Sequence, residues 1–190
     1  MGDGGSAPVS GTVAAPGTAE GAAAPPPTIW LSLAKEDFKF SSAHFTIFGD
    51  DDAELLHGHN YQVGARLGGR RLDSLGFLVD VAPVKRQIRA LCSELDERVL
   101  IPARCTLLEI DERDGETHLH FAERHYCFPA ADVLRLPLRN ITIEELSRHF
   151  WQLLAPRLPA AIEWLELTIG ETSGQQASWC AACPGPGSEG

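Results

Sequence analysis

From His57 to Leu67 the sequence reads HGHNYQVGARL, an alternation that suits an extended strand. Successive strand side chains point to opposite faces, so His57, His59, Tyr61, Val63, Ala65 and Leu67 share one face. Asn60, Gln62 and Arg66 take the other. One covered and one wet face imply a sheet with packing on a single side, and the two histidines must lie together on the covered side. Gly68-Gly69 is expected to end the strand.

The flanking sequence supplies that covering. Thr28 to Phe40 is rich in β-branched and aromatic residues, with an interruption expected near Lys35-Glu36-Asp37. Pro83 suits the first turn of a helix carrying Val84, Ile88, Leu91 and Leu95 on one stripe. Thr142-Ile-Glu-Glu145 has capping-box spacing and opens a second helix with Leu146, Phe150, Leu153 and Leu154 on its apolar side. Between the helices, Asp114-Gly115 marks a hairpin inserted at about 105–122. Further strands are expected over Ile162–Ile169 and Gln176–Trp179. The order of elements predicts an α+β domain over 28–180: an antiparallel sheet with two helices on one face. Its edges need covering or a neighbouring subunit.

A chain of 190 residues has room for one ordinary domain. Residues 1–27 are Ala, Pro, Gly, Ser and Thr with almost no large apolar side chain, and with 181–190 they are expected to be disordered. A formal net charge of −10 argues against nucleic acid or an anionic membrane as partner. The sequence has no apolar run of the roughly 20 residues that span a bilayer and no signal-peptide pattern, so a cytoplasmic location is expected. The five cysteines form no disulfide framework, and Cys180-Ala-Ala-Cys183 reads as an inert tail.

Catalytic zinc usually takes three protein ligands and keeps one position for water or substrate. Histidines at i and i+2 lie about 7 Å apart by strand rise, close enough for converging rotamers to share an ion. Gly58 permits close backbone approach, and His44, ending the preceding strand, is the candidate third ligand. His118-Leu-His120, with His125 downstream, has the same spacing. It reads as an exposed hairpin face, because no glycine or third strand is tied to it.

FKFSSAH, LHGHNYQV, FLVDVAPVK, LDERVL, NITIEEL and IGETSGQQASW, in that order, resemble the 6-pyruvoyl-tetrahydropterin and 6-carboxy-tetrahydropterin synthase family. The resemblance covers roughly residues 30–180. It implies a T-fold whose sheets close into an oligomeric barrel, commonly a dimer of trimers, and a zinc ion held by His44, His57 and His59. It also implies a pterin substrate such as 7,8-dihydroneopterin triphosphate, anchored by Glu171 with Thr142 and Glu144 nearby. A carboxylate suits the anchor because it can accept two parallel N–H bonds.

The catalytic positions depart from that pattern. Residues 49–56 read GDDDAELL, with no cysteine where relatives have one, and Asp96-Glu97 stands where they have an aspartate–histidine pair. Glu54, three residues before His57, looks like the family's glutamate variant. In that variant the side chain is cleaved to 6-hydroxymethyl-7,8-dihydropterin. A glutamate base calls for a pKa raised by burial or by neighbours such as Asp50, Asp51 and Asp52. A catalytically silent pterin-binding protein and a 6-carboxy-tetrahydropterin synthase are the competing readings.

Overall fold

The computed structural model describes residues 26–184. The extension expected over 1–27 and the tail expected to follow 180 therefore lie largely outside the described residues. The chain runs through β1 (Ile29–Leu33), β2 (Lys39–His44), β3 (His57–Gly69), α1 (Ala82–Leu95) and β4 (Arg98–Pro102). It continues through β5 (Glu109–Arg113), β6 (Glu116–Phe121), β7 (Arg124–Pro129), β8 (Val133–Leu136), α2 (Ile143–Leu154), β9 (Trp164–Thr172) and β10 (Gln175–Ala182).

The main sheet has the order β10-β9-β3-β2-β4-β8, with β1 also paired to β3. The α+β class with both helices against one face is as expected, but the sheet is mixed rather than antiparallel. β4 runs parallel to β2 and β8 parallel to β4. Parallel neighbours require a long crossover, and the segment between Pro102 and Val133 provides it. That segment is a three-stranded sheet, β5-β6-β7, in place of the expected two-stranded hairpin. Its first turn is the one the sequence marks: Asp114 and Gly115 both have positive φ, 53° and 80°, as a two-residue primed hairpin turn demands.

The core follows the alternation of β3. Tyr61, Val63, Ala65 and Leu67 are buried with Leu165, Leu167 and Ile169 of β9 against Ile88 and Leu91 of α1 and Leu146 and Phe150 of α2. Phe40 joins the layers, stacking on Tyr61 at 4.7 Å and on Phe150 at 5.8 Å between ring centroids. A second apolar cluster, with Phe45, Ile47, Ile101, Leu119 and Phe121, holds the β5-β6-β7 sheet to the main one.

One expected boundary holds and one moves. Gly68-Gly69 closes β3, whose last residue is Gly69, but both glycines are buried and still paired, with Trp30 and Ile29 of β1. They are thin points that let other segments cross the strand. A Cβ on Gly69 would stand 2.6 Å from the Ala161 carbonyl oxygen and 2.6 Å from Leu78 Cδ1. At the other end, β10 continues through Cys180 to Ala182, and the Cys183 N–H donates to the Glu163 carbonyl at 2.8 Å. The segment read as an inert tail is thus in part an edge strand. Among the described residues, no helix is long and apolar enough to cross a membrane.

Gly69→Ala is expected to cost about 1–3 kcal/mol, the usual penalty for overpacking. Gly64→Ala, whose Cβ would meet nothing nearer than 3.8 Å, should stay within about 1 kcal/mol of the parent, the ordinary glycine-to-alanine range. Urea unfolding of the two variants checks the difference.

Candidate active site

The register of β2 against β3 pairs His44 directly with His57 and Ser42 with His59. Gly58, between the histidines, pairs with Ala43, and a Cβ there would press on the Ser42 carbonyl oxygen at 3.3 Å. The three imidazoles therefore converge, with ring centroids 4.7–5.3 Å apart. Each offers a nitrogen to one small volume.

Backbone carbonyls set which nitrogen that is. His44 Nδ1 lies 3.0 Å from the Ile141 carbonyl oxygen, and His57 Nδ1 lies 2.8 Å from that of Leu55. Donation through Nδ1 leaves each Nε2 as a lone pair directed inward, the arrangement second-shell partners impose on metal-binding histidines. His57 Nε2 and His59 Nε2 are 2.9 Å apart, and His44 Nε2 is buried with no hydrogen-bond partner. An unpartnered buried acceptor beside two converging ones fits a metal ion. Burial, then the neighbouring His57, pushes His44 down from 6.5 to about 4, so its ring is neutral at physiological pH. Beneath the trio, the buried Tyr61 hydroxyl also lacks a partner.

Glu54 lies on the segment joining β2 to β3, which is folded back by an isolated Ile47–Ala53 bridge. The Thr46 N–H donates to Glu54 Oε2 at 3.1 Å, and the Glu54 N–H donates to the Thr46 carbonyl at 2.9 Å. Two distant side chains pin this loop. Asn140 donates to the Ile47 carbonyl at 2.8 Å and accepts its N–H at 3.1 Å. Arg124, at the start of β7, donates to the carbonyls of Glu54 and Ala53 at 2.6 and 2.9 Å.

The expected rise in the Glu54 pKa is not what the structure gives. Burial is the largest single influence and does raise it. Hydrogen bonds from Thr46, aided by His57 and His44, outweigh burial and hold the carboxyl below its ordinary 4.5. Asp50, Asp51 and Asp52 are exposed at the loop tip, where water screens them.

Glu171, at the end of β9, reaches the same region, with Oε2 3.8 Å from His59 Nε2 and Oε1 accepting from the Gln175 amide. It also borders a cavity of about 930 Å³ lined by Asn60, Gln62, Thr168, Gly170 and Gln176. The other expected site residues lie farther out. Asp96 accepts the Ser41 N–H at 2.7 Å, and Glu97, with φ at +57°, donates its own N–H to the Ser41 carbonyl at 2.7 Å. Both are exposed; Glu97 borders a shallow groove of about 470 Å³ that also touches His59. Thr142 caps α2 by accepting the Glu145 N–H at 3.3 Å, and Glu144 points to solvent in that first turn. Thr142 directly follows the carbonyl that orients His44.

Sequence reading missed Arg124 and Asn140. The alternation Tyr126, Phe128 against His125, Cys127 was a strand signal that would have located β7, and with it Arg124.

His44 binds a proton more readily unfolded than folded between its folded pKa of about 4 and its ordinary 6.5. Stability of the metal-free protein should therefore fall as pH drops through that window, by on the order of 3 kcal/mol from this residue. A His44→Gln variant should flatten this dependence in urea unfolding at several pH values.

Residues 32–181 match the family model described as 6-pyruvoyl tetrahydropterin synthase. A curated Methanocaldococcus jannaschii protein, named as a candidate 6-carboxy-5,6,7,8-tetrahydropterin synthase, is 32% identical over 145 residues, covering 74% of this chain and 88% of its own. The crystal structure of Plasmodium vivax 6-pyruvoyl tetrahydropterin synthase superposes with a TM-score of 0.76 at 27% identity, covering 81% of this chain and 98% of that one. A catalytic-residue variant of the Plasmodium vivax enzyme, with a glutamate replaced by alanine, superposes at a TM-score of 0.74 and 26% identity with the same coverage. The chain belongs to the 6-pyruvoyl tetrahydropterin synthase family.

Proposed function

We propose that this protein is a zinc-dependent lyase acting on 7,8-dihydroneopterin triphosphate or a close relative, with Glu54 as the base. The observation that carries this reading is the convergence of three imidazole nitrogens, one of them buried and unpartnered, beside a carboxylate on a clamped loop. Imidazole nitrogens suit Zn²⁺, with His44, His57 and His59 as its ligands. A Zn²⁺ ion held there would polarise a substrate side-chain oxygen and make the neighbouring C–H more acidic.

The protein's own groups do the rest. Glu171 takes the N–H edge of the pterin ring, and its position 3.8 Å from His59 sets that ring against the metal centre. Glu54 accepts the proton beside the polarised oxygen. Its depressed pKa keeps it ionised and ready at neutral pH but makes it an intrinsically weak base, so the reaction relies on substrate acidification. The glutamate named as a catalytic residue in the Plasmodium vivax relative supports this choice. Proton removal then leads either to loss of triphosphate or to cleavage of the side chain, giving 6-hydroxymethyl-7,8-dihydropterin.

The protein works as a homo-oligomer in this reading, since β8 and β10 leave open sheet edges. Asp96 and Glu97 take part only if a neighbouring copy supplies what the single chain does not bring together. Thr142 and Glu144 line the approach to the pterin. A second reading, 6-carboxy-tetrahydropterin formation, draws support from the name of the Methanocaldococcus jannaschii relative.

Mass analysis of products from dihydroneopterin triphosphate and the zinc-loaded protein separates the two readings. A 6-hydroxymethyl product, or one that keeps the side-chain carbons and has lost triphosphate, is expected; a 6-carboxy product would favour the second reading, and chelation should abolish product formation. Glu54→Gln should lower kcat by about 10²–10⁴-fold, the usual contribution of a positioned base; full activity would rule out its role.

Arg124 acts only by positioning the Glu54 loop. Arg124→Ala should lower kcat by about 10-fold or more with KM little changed, as misplacement of a reacting group does, and Arg124→Lys should restore part of the loss.

A further inference from the structure

The two faces of the β5-β6-β7 sheet have different chemistry. Thr117, Leu119 and Phe121 of β6 face inward and are buried. Glu116, His118 and His120 alternate with them, and the antiparallel register sets His118 beside Cys127 and His120 beside His125. The expectation that His118 lies on an exposed hairpin face fails for a definite reason. The third strand, β7, covers its flank, and His118 is 8% exposed.

Three different donor atoms converge on this face. Glu116 Oε2 lies 3.2 Å from His118 Nε2 and 3.3 Å from Cys127 Sγ, and Cys127 Sγ lies 3.8 Å from His118 Nε2. Tetrahedral zinc, with bonds near 2.1 Å to N and O and 2.3 Å to S, places its ligand atoms about 3.3–3.6 Å apart. All three separations match that requirement to within a few tenths of an ångström, so an ion needs little side-chain movement. The other His118 nitrogen, Nδ1, is 3.2 Å from His125 Nε2, and His125 stacks on His120 at 4.4 Å. When the His118 Nδ1–H donates to His125 Nε2, the His118 Nε2 is an acceptor held in place. Nε2 and the Glu116 carboxylate then compete for one weakly donated thiol proton, and a divalent cation would satisfy all three groups.

We propose that Glu116, His118 and Cys127 form a second transition-metal site that binds Zn²⁺ or a similar borderline ion, separate from the three-histidine centre. Binding releases the Cys127 thiol proton to solvent and leaves the fourth coordination position open to water. The ion ties β6 to β7, the strand that carries Arg124 at its start.

Titration of the chelator-stripped full chain with Co²⁺ alone tests the site, because thiolate-to-cobalt charge-transfer absorption in the near ultraviolet cannot arise from three histidines. One thiolate-bound cobalt per chain is expected, displaced by Zn²⁺. A His57→Ala/His59→Ala variant should keep that band, Cys127→Ser should lose it, and Glu116→Gln should bind cobalt at least 10-fold more weakly. Cobalt binding with no thiolate band, or a band that survives Cys127→Ser, would overturn the proposal. Cys127 and Glu116 are exposed, so neither substitution disturbs the core.

Discussion

The register of β2 against β3 sets His44 opposite His57 and Ser42 opposite His59. Because side chains alternate along a strand, a slip of one residue would turn His57 and His59 to the wet face and bury Asn60 and Gln62. The same slip would expose Tyr61, Val63 and Leu67, so the apolar core and the histidine centre are specified by one register. Hydrophobic burial thereby enforces the geometry of a polar site. The Ile141 and Leu55 carbonyls then orient two of the rings, and glycine at position 58 spares the Ser42 carbonyl of the neighbouring strand a close contact.

The Glu54 carboxylate is held differently. Glu54 belongs to no strand or helix; its loop is anchored by Phe45, Ile47, Ala53 and Leu56, while Glu54 itself makes no apolar anchor. Polar groups from elsewhere add to them: Asn140 just ahead of α2, and Arg124 from the crossover sheet. The crossover therefore does two things. It carries the chain between parallel strands, and it delivers a guanidinium that fixes the Glu54 loop.

Much of this was legible in the residues. The alternation of β3, the proline-started α1, the capped α2 and the Asp114-Gly115 turn are local signals, and local physics produced the expected elements. The three-histidine cluster followed from strand periodicity together with family resemblance. β4 and β8 were not legible, since short runs such as Arg98-Val-Leu-Ile-Pro102 carry no period and gain strand character only from their neighbours. Gly68-Gly69 closes β3 as the sequence implies, but the close packing of Leu78 and Ala161 on Gly69 is a tertiary contact that no local pattern announces. The Glu54 pKa was misjudged because carboxylates close in sequence are far less effective than hydrogen bonds to Thr46.

The long β3 also separates the ends of the domain. Its 13 residues, at about 3.3 Å each, place Gly69 roughly 40 Å along the strand from His57. The Thr28 N–H bonds to the Gly69 carbonyl, so the chain enters the fold at the far end from the histidines. A fluorophore, affinity handle or surface tether attached at position 28 would therefore report on or immobilise the protein without crowding the three-histidine end.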